Sequence, residues 1–360
     1  MKEQGYDFYS TKKSSENIFK YVETRLGSLL PESTKIFIEG LFVCPNKKNF
    51  STIHIATGAP YKAIRRCFDD FKGRVREQIE DFLVDLVKKH ATKDNPGILI
   101  IDPTQIDKIY GEKSEFKCYD HNGSMKRVLK GITCVTAVWT NNKIVIPLAF
   151  NFWVREKDIT DGRQYRKKTE ISRELIIELK NKIPFAYIAL DGDYGNEEFL
   201  LFLCRLHLKF SIRMPSNRKV MINGIEEVLS KHPELKLIRN ERYKKVQGAY
   251  KGMPMTIIAH KRKGKNKTKQ VVFIVSNIES FSAKEHVKAY ARRWPIEKMF
   301  RTAKQKLGLK DCQCKTEEKH RTHIFLVFVA FVIAESIKVA NRQKSADEAI
   351  KTIKAQGYFA

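Results

Sequence analysis

The chain has 360 residues, too many for one ordinary compact domain, and its 42% hydrophobic and 11% aromatic content excludes a disordered polymer. Its charge is lopsided: 68 Lys and Arg face 41 Asp and Glu, a net +27, so the leading partner is a polyanion, nucleic acid above all. Seven cysteines without regular spacing, and no signal-like segment before Tyr6, read as reduced thiols in a cytoplasmic protein.

Residues 1–95 read as a helical N-terminal domain that binds DNA. Within it, Phe50 to Lys72 fits a helix-turn-helix: Ser51 or Thr52 caps a short helix, Gly58-Ala59-Pro60 makes the turn, and a second helix follows from Pro60. That second helix presents Lys62, Arg65 and Arg66, which suits a groove or phosphate contact. A plain helical cap with a solvated basic face fits the same residues.

From Gly97 the pattern changes. The apolar run Ile98-Leu99-Ile100-Ile101 ends in Asp102, the mark of a strand buried on both faces. Leu129 to Trp139 and Lys143 to Phe152 read as two more strands, joined at Asn141-Asn142. Glu170 to Lys182 is an amphipathic helix, Phe185 to Leu190 a strand ending in Asp191, Asn196 to Leu206 a helix, and Lys209 to Met214 a short strand. The order gives an α/β fold, a mixed sheet with helices packed on it.

Residues 215–280 interrupt the pattern as a β-rich basic insertion, with strands such as Met255 to His260 and Gln270 to Val275. From Arg205 to Gln270, 18 Lys and Arg face 4 Asp and Glu, about half of the chain's excess charge. Lys261, Arg262 and Lys263 lie at an expected hairpin tip, where so dense a charge favours a phosphate track over a merely solvated loop. Ser282 to Gly308 and Lys319 to Asn341 are helical, and residues 343–360 read as a C-terminal tail. The longest apolar run, Ile324 to Ala334, is too short for a bilayer and reads as a buried helix.

Asp102 and Asp191, each closing a buried strand, are candidates for a metal site, because rigid neighbouring strands fix their separation and a cation relieves their repulsion. The third acid is Glu297. Tyr290, Arg293, Glu297, Arg301 and Lys304 recur at three- and four-residue steps and share one helical face, with a kink or restart expected at Pro295. Three carboxylates plus phosphate oxygens suit two hard divalent ions, Mg²⁺ with Mn²⁺ able to substitute. Asp193 competes with Asp191 for the second place. Cys312, Cys314, His320 and His323 form a weaker candidate for zinc, their spacing being too tight.

Tyr290, Arg293, Glu297 and Lys304, spaced two, three and six residues apart, resemble the signature of DDE transposases of bacterial insertion sequences, the insertion-sequence-four-like group. Ile101-Asp102-Pro103-Thr104, followed by the stretch from Lys108 through Gly111 to Lys113, resembles the family's first-acid region. Leu190-Asp191-Gly192-Asp193-Tyr194-Gly195 resembles the second. The resemblance covers about residues 97–340. It implies an RNase H-like catalytic core, residues 96–214 and 281–342, interrupted by the β-rich insertion. The 106 positions between Asp191 and Glu297 leave room for that insertion.

By the same resemblance, Asp102, Asp191 and Glu297 are catalytic and metal-binding, and Tyr290, Arg293 and Lys304 contact the terminal DNA strand. The reaction is cleavage of double-stranded DNA at the element ends followed by strand transfer, on a homodimer assembled on DNA. Some relatives stack a flipped base on a Trp in the insertion. This insertion has none, which leaves Tyr243 or Tyr250 for that place. A nuclease without strand transfer, or a DNA-binding regulator with a retired site, are the rival readings.

Overall fold

The computed structural model describes residues 20, 22–108, 114–122, 126–263 and 269–356. Helices come first: α1 (22–29), α2 (Glu32–Val43), α3 (Phe50–Thr57), α4 (Tyr61–Asp70) and α5 (Arg74–His90). The cap of α3 is Asn49 and not Ser51 or Thr52. The Asn49 Oδ1 accepts from the Thr52 amide at 3.0 Å, and Thr52 answers through its own hydroxyl in a capping box. Gly58 ends α3 in the left-handed region, φ 70°, and Pro60 precedes α4.

Eleven strands then form one sheet among the described residues: β1 (Ile98–Asp107), β2 (Cys118–Asn122), β3 (Arg127–Thr140), β4 (Val145–Trp153), β5 (Ile188–Leu190), β6 (Phe210–Met214), β7 (Lys219–Ile222), β8 (Ile225–Val228), β9 (Tyr243–Tyr250), β10 (Met253–Lys263) and β11 (Lys269–Ser276). Their order is β2-β3-β1-β5-β6-β11-β10-β9-β7-β8, with β4 sharing the outer edge of β3. The antiparallel run β4-β3-β1 followed by β5 and β6, both parallel to β1, is the RNase H-like arrangement. Asn142, at φ 72°, turns β3 into β4, while the Asn141 side chain accepts from the Lys143 and Ile144 amides.

Strands β7–β11 do not form a separate lobe. β11 pairs with β6 from Phe273↔Met214 to Ser276↔Ser211, so the basic insertion continues the core sheet.

Helix α6 (Lys168–Leu179) packs on β3 and β4 and against α7 (Glu197–Arg205). Helix α8 (Ala283–Ala291) crosses β6, β9, β10 and β11, and α9 (Pro295–Lys306) lies over β1. Helix α10 (Glu317–Ala340) is long and apolar enough to cross a membrane, yet every residue from Ile324 to Ala334 is buried within the fold. The N-terminal helices rest on it, with His323 packed edge-on against Phe37 and Phe68.

Residues 346–356, expected as tail, form helix α11 (Ala346–Gln356) instead. Ala346, Ala349, Ile350 and Ile353 make an i, i+3, i+4, i+7 stripe that is buried.

One side chain ties together the entries to the two acid-bearing strands. Trp139, fully buried on β3, donates its indole N–H to Pro96 O at 3.1 Å and Pro184 O at 2.8 Å. Gly97 sits over that ring at φ 79°, and a Cβ there would fall 2.3 Å from the indole. Only glycine meets both demands.

Candidate active site

The parallel ladder between β1 and β5 runs Leu99↔Ile188, Ile100↔Ala189, Ile101↔Leu190 and stops. The next residues are Asp102 and Asp191, placed side by side where the two strands part. Asp102 does not end its strand, as the apolar run suggested. β1 continues to Asp107 because the long β3 pairs with it as far as Asp107↔Gly131. What ends at Asp102 is the pairing with β5, and that opens space beside the carboxylate. Asp191 caps a short 3₁₀ turn, Gly192–Tyr194, its Oδ1 accepting from the Gly192 amide.

Glu297 arrives from above. Helix α8 ends at Ala291, and α9 restarts at Pro295, where a missing amide proton costs nothing and the fixed φ suits a first helical turn. Glu297 thus lies in the first turn of α9, where the helix dipole favours an anion.

Arg293, in the turn between these helices, joins the pieces. Its Nη1 donates to Asp102 Oδ2 at 3.2 Å and its Nη2 to Glu297 Oε1, with the side chain only 9% exposed. Burial pushes the Asp102 carboxyl up to about 7; Arg293 pulls it down, and the charges of Asp191 and Glu297 add to the rise. Burial works against the Arg293 guanidinium, but Asp102, Tyr290, Asp191 and Glu297 outweigh it and hold the cation firmly charged. Carboxylate oxygens are the donors that hard divalent cations take, and here Arg293 occupies the place between Asp102 and Glu297.

A groove of about 820 Å³ opens over this centre, lined among others by Asp102, Asp193, Glu297, Arg301 and Lys304. Asp193 faces the groove directly, whereas Asp191 is the neighbour of Asp102 in the sheet and acts on both Asp102 and Arg293. Ladder geometry fixes Asp191 beside Asp102, while Asp193 is exposed on the turn. Burial, helped by Lys310, lowers the Lys304 ammonium to about 8.

Sequence reading missed two ion pairs at the groove, Lys310–Asp107 at 2.6 Å and Lys168–Asp120 at 2.7 Å. Each joins elements far apart in the chain, so no local spacing signals them.

Arg301 and Lys304 therefore share the groove with Asp102 and Glu297, Arg293 bonds both acids, and Tyr290 lies 5.9 Å from the Arg293 guanidinium. The other basic candidates sit elsewhere. Lys62, Arg65 and Arg66 are exposed on α4; Arg65 lines a separate cavity of about 260 Å³ against the 311–314 loop, and Arg66 lies 4.0 Å from Asp70. Lys261 and Arg262 are on β10, Lys261 bonded to the Ile238 carbonyl, and the Lys263 side chain lies outside the described residues. Residues 109–113, within the stretch from Lys108 to Lys113, also lie outside them.

Tyr250 is buried, its hydroxyl 3.3 Å from Gly195 O, and offers no face for a base. Tyr243 is stacked on His260 at 5.0 Å. Of the four zinc candidates, His323 instead donates its Nε2–H to Gly308 O at 2.9 Å; among the described residues no three of His, Cys, Asp and Glu, the acid triad included, are close enough as placed to share a metal ion.

An RNase H-like sheet with acids where its central strands part defines the class. A family model, Transposase DDE domain, matches residues 93–333, and the chain belongs to that family. The probable transposase for insertion sequence element IS701 from Microchaete diplosiphon is 29% identical over 149 residues, 41% of this chain and 39% of the relative, so the match spans about two-fifths of that protein. Among solved structures, the NurA nuclease from Sulfolobus solfataricus aligns over 79% of this chain and 95% of its own, at 12% identity and a TM-score of 0.26.

Proposed function

We propose that this protein is a transposase that binds the double-stranded ends of its mobile element, cleaves them and joins them to target DNA in a cytoplasmic setting. The observation that carries this reading is one buried cation, Arg293, paired with both Asp102 and Glu297, with the charge of Asp191 acting on it from the next strand, beneath a groove lined by further cations. Asp102, Asp191 and Glu297 would hold two divalent ions, Mg²⁺ or Mn²⁺. When bound, these ions supply Lewis-acid polarisation of the phosphate and ease deprotonation of the attacking water or 3′-hydroxyl.

The chain's own residues position the DNA. Arg301 and Lys304, one and two turns beyond Glu297, face the groove and take phosphate oxygens. Tyr290 supports Arg293 beside the groove, and Lys62, Arg65, Arg66, Lys261, Arg262 and Lys263 would hold the duplex away from the reacting atoms. A homodimer on DNA would bring two ends together.

The test is incubation of the full chain with DNA carrying the element's terminal repeats, plus Mg²⁺ and a target plasmid. Cleaved ends and joined products are expected, both lost in Asp102→Asn and Glu297→Gln. Broken ends without joined target would replace this reading with that of a nuclease. Binding without cleavage under Mg²⁺ or Mn²⁺ would point to a regulator.

A further inference from the structure

We infer that Arg293 is a resident counter-cation that keeps metal off the Asp102–Glu297 pair until a DNA phosphate draws it away. The inference rests on the metal-site reading above. The observation behind it is that one guanidinium bonds to carboxylates from two separate elements, β1 and α9, at the place where a divalent ion would bind them.

Three features give Arg293 this behaviour. Its side chain is 9% exposed, so its charge acts through protein and is poorly screened by water. A divalent cation entering between the same two oxygens meets that charge at close range, and a metal that binds only the open arrangement loses affinity in proportion to the open fraction. The guanidinium also has somewhere to go. The groove where Arg301 and Lys304 would hold phosphate is lined by the same Asp102 and Glu297 that Arg293 bonds, and the Tyr290 ring, already 5.9 Å from the guanidinium, can stay against it as it turns toward that groove. A phosphate accepts the same two-pronged donation that a carboxylate does, so exchanging one for the other preserves the hydrogen bonds of Arg293. Asp102 and Glu297 are then released to metal only when substrate is in place. Metal held at the acids in the absence of DNA is thereby avoided.

The test measures free Mn²⁺ by electron paramagnetic resonance as it is titrated into the full chain, with and without a short DNA duplex. Asp102→Asn plus duplex serves as the blank for Mn²⁺ taken up by the DNA. Without DNA, Arg293→Gln should bind Mn²⁺ at least about tenfold more tightly than the unmodified protein, a closed fraction near nine-tenths. Adding duplex should tighten the unmodified protein by a similar factor and leave Arg293→Gln unchanged. If Arg293→Gln fails to fold, the comparison of the unmodified protein with and without duplex still decides: no tightening overturns the inference. Arg293→Gln binding no more tightly than the unmodified protein, while Asp102→Asn abolishes binding, overturns the inference and leaves the metal site standing. No Mn²⁺ bound by any variant, with or without duplex, overturns both.

Discussion

Lys304 gives the sharpest test of whether the groove takes DNA as proposed. Its ammonium is lowered from the usual lysine value to about 8, chiefly by burial beneath the groove and next by the charge of Lys310. If a phosphate contact requires the protonated form, affinity follows the protonated fraction. That fraction falls from about nine-tenths at pH 7 to about one-tenth at pH 9, so the dissociation constant should rise about tenfold, or about 1.4 kcal/mol. A lysine with its ordinary value near 10.4 would change by only about 4% over the same range.

Lys304→Arg stays charged throughout and should remove the pH dependence. Lys304→Gln should bind weakly and equally at both values. Fluorescence anisotropy of a labelled duplex, at fixed ionic strength, measures all three. A flat profile for the unmodified protein between pH 7 and 9, or the same slope in Lys304→Arg, would refute the assignment of this group to phosphate binding.

Other outcomes follow from the same geometry. Asp191→Asn should lower cleavage by about 10³-fold or more, while Asp193→Asn stays within about tenfold; the reverse pattern in a nicking assay would make Asp193 the second acid. Gly97→Ala should destabilise the fold by at least about 2 kcal/mol in a urea melt, since it meets both the left-handed backbone and the Trp139 ring. Burial depresses the imidazoles of His323 to about 4 and His320 to about 3, so the unfolded chain takes up protons that the folded one refuses. Stability should then be full above pH 6.5 and fall progressively toward pH 4, with a shallower slope for His323→Gln in pH-jump unfolding.

The elements with strong local signals were legible in the sequence. The apolar run before Asp102, the Asn141-Asn142 turn and the restart of helix at Pro295 each stem from neighbours in the chain, and each is where local chemistry puts it. What was not legible depends on distant partners. The length of β1 is set by β3, not by its own apolar residues, so Asp102 sits mid-strand. Arg293 lies on the expected face, yet its bond to Asp102 crosses 191 positions of chain and no spacing rule foretells it. Strand β2 and the pairing of β11 with β6 are likewise products of tertiary register. Helix α11 did carry an apolar stripe, but its charged surroundings masked it.

The hydrogen-bonded row Ile101–Leu190–Ile212–Val275–Ile257 runs unbroken from the acid-bearing strand to β10. Four strand-to-strand steps of about 4.8 Å set a distance of about 19 Å, the length of five or six base pairs of B-form duplex. A hinged arm could grip DNA at varying distances from the cut. A stiff sheet would work instead as a ruler: if the basic strands hold DNA as proposed, their nucleotides would stand at a fixed count from a phosphate at Asp102, and a change in the spacing of an end sequence could not be absorbed by swinging the insertion.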